Sequence, residues 1–469
     1  MHLGQHKSST LRKPSDSQSW LVIYILVLLV ILAIIIGLVL YRTTTPSAIP
    51  TPSAIPAPSA TSRTKYTNAV YTHCSEKPLN RPTRHAFSSL GIEFISPGDL
   101  KVLAQQPNTR PHKIIYIPCS YNNSDLDIQG FLRDHSGSVK LSRLYIASVL
   151  GCNKLCAKNG LWSVLERVYG RDGATKITPE SWVIPAQSAA FRKQISKIPS
   201  TGDVFILKKN IQGKQGLLLT NEPETLVRLT SGSGGDKYAV VQRYLAHPYL
   251  VNGRKLNIRL YILVRVLQDE SPEWWLYSAG KCIYTNRAYT QLAPSTTIKS
   301  GSPVDMQVLE QHFTSLNLDS SQVYSIDRCP ETLDELREYM SVRGEDWPGI
   351  WKKIQLGLQK VTVAYNDKLS CPKDATQAYQ LFGADYIINA IDAIDAIAAP
   401  ARTKMQPYLL EFNKGPEMKY KSPQDPELKS GLQTDVLELV LGPEPDTTKW
   451  ILLNSVNKSK VTKTHAPKK

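Results

Sequence analysis

The stretch KYAVVQRYLAHPYLVNGRKLNIRLYILV, residues 237–264, decides how this chain is read. VVQRYL alternates as a strand does. In the next strand Lys255, Asn257 and Arg259 are spaced by two and project from one face, while Leu256, Ile258 and Leu260 face the other way. Two cations and an amide on one face of an apolar strand suit an anionic ligand. A solvent-exposed strand face is the plain alternative.

Two further constellations flank this stretch. FILKKNIQGKQGLLLT, residues 205–220, delivers Lys208 and Lys209 from a strand into a loop with Gly213, Lys214 and Gly216, and a second strand follows. Glycines let a backbone approach phosphates, and lysines give them point charges. The GxxxxGK[ST] pattern is absent, so this is not a Walker loop. PYLLEFNKGPEM, residues 407–418, puts Leu409, Glu411 and Asn413 on one strand face. A carboxylate and an amide oxygen at that spacing are hard ligands that suit Mg²⁺.

The surrounding chain alternates strand-like and helix-like runs. IIYIP (114–118) and SWVIP (181–185) read as short buried strands. Residues 205–208, 216–220 and 239–245 read as a small sheet, which 257–267 and 274–278 are expected to continue. Residues 332–340 and 347–365 read as amphipathic helices, with Trp351, Ile354, Leu358 and Val361 at helical spacing. The fold class expected is α+β or α/β.

Composition narrows the partners. Of 469 residues, 42% are hydrophobic and 20% charged, so wholesale disorder is not expected. The net charge of +16 favours acidic partners. Seven widely spaced cysteines exclude a disulfide-dense scaffold. Cys152 and Cys156 lack a second pair at zinc spacing. The chain has no aromatic-studded basic motif or zinc finger, so nucleic acid is not an expected partner.

WLVIYILVLLVILAIIIGLVLY, residues 20–41, is uncharged. As a helix it spans about 33 Å, enough to cross a bilayer. It is read as a single-pass membrane anchor. Lys7, Arg12 and Lys13 precede it, and after Arg42 no basic residue comes until Arg63, which favours a cytosolic N-terminus and a large domain across the membrane. The triplets Asn122-Asn123-Ser124 and Asn457-Lys458-Ser459 permit glycosylation there. The division expected is a basic tail (1–19), the helix (20–41), a Pro/Ser/Thr-rich stalk (42–66), an N-terminal subdomain (67–175), a central nucleotide-binding subdomain (176–262), a C-terminal subdomain with the metal site (263–455) and a basic tail (456–469).

Taken in order, ITPESWVIP (177–185), FILKKN (205–210), VVQRYLAHPYLVNGRKLNIRLYILV (240–264), LFGADYIINA (381–390) and YLLEFNKGP (408–416) resemble the tubulin-tyrosine-ligase-like family over roughly 110–440. The resemblance implies an ATP-grasp fold with ATP and Mg²⁺ as cofactors. It implies ATP-dependent joining of glutamate, glycine or tyrosine to a carboxylate of tubulin or another acidic protein, through an acyl phosphate. Lys208 and the loop at Gly213 and Gly216 would contact phosphates, with Lys158 a second nucleotide lysine. Gln242, Arg243, Tyr244 and Leu245 would form the strand that hydrogen-bonds adenine. Lys255, Asn257 and Arg259 would lie at the reacting groups, and Glu411, Asn413 and Asn389 at the metal.

The sequence departs from the family at three places. Asn257 stands where the family's Lys-Phe-Asp-Leu-Arg strand has Asp, and Asn389 where its F-G-x-D-x-x-x-D strand ends in Asp; Asp392 and Asp395 lie close by, and Asp385 reads as structural. Ile283 stands where an Arg is usual, with Arg287 four residues on. These changes open a second reading: an inactive relative serving as a membrane-anchored binding or scaffold protein.

Overall fold

The computed structural model describes residues 69–73, 79–104, 113–119, 123–139, 143–198, 202–210, 216–231, 237–293, 296–299, 306–314, 321–391, 404–442 and 446–454. The apolar run 20–41, the stalk, the basic tail, both glycosylation triplets' asparagines Asn122 and Asn457, Gly213, Asp392 and Asp395 lie outside them. Among the described residues no helix is long and apolar enough to cross a membrane.

The strands in chain order are β1 (Ala69–His73), β2 (Glu93–Phe94), β3 (Lys113–Ile117), β4 (Arg143–Ile146), β5 (Ser181–Val183), β6 (Phe205–Lys208), β7 (Leu217–Thr220) and β8 (Val240–Arg243). They continue with β9 (Leu250–Val251), β10 (Arg254–Leu267), β11 (Glu273–Tyr284), β12 (Thr297–Lys299), β13 (Gln377–Ile391), β14 (Lys404–Asn413) and β15 (Trp450–Leu452). The larger sheet runs β15-β11-β10-β13-β4-β3-β1-β2, with β14 also on β13 and β9 on β10. Its β4-β3-β1-β2 part is parallel and its β10-β11-β13-β14 part antiparallel. The smaller sheet, β12-β7-β6-β8-β5, is antiparallel. The chain is therefore a mixed α/β protein, as its alternating runs imply.

The sheet assignment needs one correction. β10 and β11 do not continue the small sheet; they form the centre of the large one. The reason is length and patterning. β6, β7 and β8 are four residues long, whereas β10 is fourteen and pairs with β13 from Ile258↔Tyr386 to Leu267↔Gln377. Only a partner of matching length satisfies so many backbone groups. The expected boundary at 262 falls inside β10, and β12 returns to the small sheet from beyond it.

Each face of the large sheet has its own cover. Leu256, Ile258 and Leu260 of β10 pack with Phe382, Ala384 and Tyr386 of β13 and with Ile350, Ile354, Leu358 and Val361 of the helix Trp347–Tyr365. Burying aliphatic side chains of this size contributes about 1.5–3 kcal/mol each. That helix starts on Asp346, whose Oδ1 accepts the Gly349 amide at 2.9 Å, with Pro348 in its first turn. On the opposite face, Tyr261, Leu263, Tyr379 and Leu381 lie under Leu432, Val436 and Leu439 of the helix Asp425–Leu441. That cover stops short of Arg259, and polar chemistry begins where it stops.

Candidate active site

A single cross-strand row organises the site. Lys281 of β11 stands opposite Arg259 of β10, Arg259 opposite Asp385 of β13, and Asp385 opposite Glu411 of β14. Two-residue alternation puts Lys255 and Asn257, Asn389, and Asn413 on the same face. The expected catalytic and metal residues are thus on one surface.

Arg259 and Asp385 form a two-pronged ion pair, with Arg259 Nη2 to Asp385 Oδ2 at 2.8 Å and Nε to Oδ1 as the second bond. Asn413 donates its amide to the same Oδ2 at 3.1 Å. Burial alone disfavours the Arg259 cation, but Asp385, Tyr261 and Glu411 more than offset this, and it stays charged. Gly383 makes room for the guanidinium: a Cβ there would lie 2.9 Å from Arg259 Cδ.

Glu411 pairs with Lys158, Oε2 to Nζ at 3.0 Å. Burial pushes its carboxyl up, but Lys158, Lys208 and Arg259 hold it down at about 2. Lys158 lies between the helices Cys152–Cys156 and Gly160–Ala174. Gly160 lets the second helix start there, because a Cβ would sit 1.8 Å from the Lys154 carbonyl oxygen.

Lys208, expected to contact phosphates, ends β6 and donates to Gln242 Oε1 at 2.8 Å; Gln242 donates in turn to Ser181 Oγ at 3.0 Å. Burial lowers the Lys208 ammonium to about 8, against Glu411, with Lys158 adding to the fall. Gly216 closes the hairpin by accepting the Lys209 amide at 3.0 Å. Arg243 turns its side chain away from the lysines, whereas Tyr244 turns its hydroxyl toward Lys255. Arg243 pairs with Glu180 and Asp203, and both backbone amides donate to the Glu180 and Val204 carbonyls at 2.8 Å. The strand is shorter than expected: β8 ends at Arg243, and Tyr244 and Leu245 lie beyond it.

Lys255 is buried, and its Nζ donates to Tyr244 Oη at 2.9 Å and to the His312 carbonyl at 3.0 Å. Both acceptors are neutral. Burial first, then Lys208, brings its ammonium down to about 7. His312 Nδ1 meets Tyr244 Oη at 3.0 Å, and burial followed by Lys255 takes this imidazole to about 4. Sequence reasoning missed His312, a lone histidine in a short helix with no motif around it. Ile283 stands opposite Asn257, and Arg287 is held by Glu310 at 2.8 Å.

The residues fit an anionic nucleotide. Among the described residues Lys158, Lys208, Lys255 and Arg259 face Glu411 and Asp385 as their carboxylates, and buried Lys255 has neutral partners, so an anion would complete the charge balance. The donors fit Mg²⁺ poorly. Glu411 is held by an ammonium, Asn413 is tied to Asp385, and Asn257 Oδ1 and Asn389 Oδ1 are buried without a hydrogen-bond partner among the described residues. No cluster of three or more His, Cys, Asp or Glu suited to a metal occurs among the described residues.

Residues 145–449 match the family described as "Tubulin-tyrosine ligase family". Over 285 residues the chain is 25% identical to a Tetrahymena thermophila protein named "Probable beta-tubulin polyglutamylase", covering 56% of this chain and 21% of that protein. A Bos taurus protein named "Probable tubulin polyglutamylase TTLL9" is 24% identical over 281 residues, 55% of this chain and 53% of its own length. The mouse protein named "Tubulin monoglutamylase TTLL4" is 23% identical over 305 residues, 62% and 23% of the two chains. The chain spans less than two thirds of the length of each of these relatives.

Proposed function

The chain belongs to the tubulin-tyrosine ligase family, and on that premise we propose that it is an ATP-dependent carboxylate–amine ligase that joins glutamate to a protein carboxylate. The observation that carries this reading is the gathering of Lys158, Lys208, Lys255 and Arg259 from three segments, the inter-helix loop, β6 and β10, around Glu411 and Asp385. The relatives' names favour glutamate over glycine or tyrosine as donor, and tubulin as acceptor. The overall positive charge suits an acidic acceptor of either kind, tubulin or another protein.

The chemistry asked of these residues is electrostatic. An acceptor carboxylate oxygen attacks the γ-phosphorus of ATP, the bond to the β-phosphate oxygen breaks, and ADP leaves. The amine of the donor then attacks the acyl phosphate, phosphate departs and the nitrogen loses a proton. Lys208 and Lys158 would hold transferring and leaving phosphates as point charges. Arg259, fixed by Asp385 and Gly383, would present its planar cation to the reacting carboxylate. Lys255 would bind as an ammonium, because an incoming phosphate restores the charge that burial disfavours.

The test is intact-mass analysis of tubulin incubated with the chain, ATP and a mixture of glutamate, glycine and tyrosine. The gain of a glutamate residue is expected, abolished by Arg259→Ala or Glu411→Gln. Unchanged turnover in both variants would remove the site assignment. The second reading, an anchored binding protein without turnover, is favoured by the two orphaned amide oxygens; nucleotide retention without mass gain on any acceptor would establish it.

Membrane anchoring through residues 20–41 belongs to the proposal. Cys119 is disulfide-bonded, and cytosolic thiols are kept reduced, which supports a domain on the far side of the membrane. A domain on that side would select the other acceptor named above, an acidic protein other than tubulin. Protease protection of the domain in sealed microsomes is the expected result; digestion without detergent would place it in the cytosol.

A further inference from the structure

We infer that the site binds its nucleotide triphosphate without a protein-bound divalent ion, the ammonium of Lys158 standing beside Glu411 where a metal would stand. This rests on the nucleotide reading above and specifies how the nucleotide is held.

The first support is what Glu411 does. It is the one carboxylate among the three residues expected to hold Mg²⁺, and its Oε2 accepts from Lys158 Nζ at 3.0 Å. Mg²⁺ needs oxygen ligands at about 2.0–2.1 Å in octahedral array. An ion at that distance from Glu411 would crowd the ammonium and add charge where Lys158, Lys208 and Arg259 already act on the carboxylate.

The second support is what the amides do. Asn413 donates to Asp385 at 3.1 Å, and Asp385 is engaged on both oxygens by Arg259. Neither is a spare anionic ligand. Asn389 brings only a neutral oxygen, buried and unpartnered among the described residues, and Asn257 Oδ1 is in the same state. Such oxygens suit an N–H or O–H donor on a ligand, because they offer a dipole rather than a charge. A site with four cations, two committed carboxylates and two open amide acceptors matches a triphosphate bearing hydroxyls better than a bare dication.

The experiment is calorimetric titration of ATP into the full chain in detergent, once in excess EDTA and once in excess Mg²⁺. A second probe titrates Mn²⁺ alone and follows its paramagnetic resonance signal. The expected dissociation constants in EDTA and Mg²⁺ agree within about threefold, and Mn²⁺ alone is not taken up. Lys158→Met is expected to weaken ATP binding in EDTA by about 10- to 100-fold. Asn389→Asp, a conservative change that restores a carboxylate, is expected to make binding tighter in Mg²⁺ than in EDTA. Binding that is lost in EDTA, or uptake of Mn²⁺ by the unaltered chain, overturns the inference and leaves the ligase reading standing. Absence of ATP binding in both conditions, with the chain still melting cooperatively, overturns the nucleotide reading itself and the inference with it.

Discussion

Lys255 and Asn389 lie on the same face of neighbouring strands and are satisfied in opposite ways. The Lys255 end of that face is crowded with positive charge. Lys255 donates to a tyrosine and a carbonyl, Lys208 to a glutamine, and among the described residues neither has a hydrogen-bonded carboxylate of its own. Negative charge is short on the same face: the Oδ1 atoms of Asn257 and Asn389 are buried without a hydrogen-bond partner among the described residues. An excess of cations is a site for a phosphate chain. A shortage of carboxylates is a poor site for a metal. The difference separates two capacities that a ligase needs together: binding a nucleotide, and neutralising it during transfer.

The largest effect belongs to the Arg259–Asp385 pair. Arg259→Ala leaves Asp385 buried without its cation, which costs about 3–5 kcal/mol of stability and should lower the melting temperature visibly. A small drop would mean that Asp385 is well solvated and that the row across β10 and β13 is looser than drawn.

Lys255→Met comes next and separates binding from folding. It removes a buried cation that has only neutral partners, so the melting temperature is expected to hold or rise. Nucleotide affinity is expected to fall by about tenfold or more, as for the loss of one charge-assisted hydrogen bond. A parallel loss of both would make Lys255 structural.

Proton linkage sharpens the same point. In the free protein Lys255 titrates near 7 among Tyr244, His312 and Lys208, and Lys208 near 8. A bound phosphate favours both ammonium forms and raises both values. Between pH 7 and 9 binding therefore takes up protons, and affinity falls as the pH rises. Calorimetry in buffers of different ionisation enthalpy measures the uptake. Proton release, or none, would contradict the burial of these lysines.

The smallest effect is expected at the metal end. Asn389→Leu removes an unpartnered buried amide, and its stability change should be within about 1 kcal/mol in either direction. A large destabilisation would show that the amide is satisfied by a ligand or ion in solution.

Much of this site was legible in the sequence, because period-two spacing fixes which residues share a strand face. Lys255, Asn257 and Arg259 were readable as one face from their spacing, and Glu411 with Asn413 likewise. The helix read over 332–340 is present as Leu333–Val342, and Thr332 caps it, forming a capping box with Glu335. Pairing was not legible. Lys158 meets Glu411 across 253 positions and Arg259 meets Asp385 across 126. Local periodicity says nothing about partners that distant, nor does it say which sheet β10 and β11 join. His312 enters through a backbone carbonyl and one ring nitrogen, contacts with no compositional signature.

The most direct test of ligase function is ADP release measured with ATP, glutamate and acceptor together and with each omitted in turn. The result expected is ADP formed in equal amount to new amide, with none when the acceptor is left out. ADP that appears without acceptor, or amide that appears without ADP, would contradict an acyl-phosphate ligase built on this cradle.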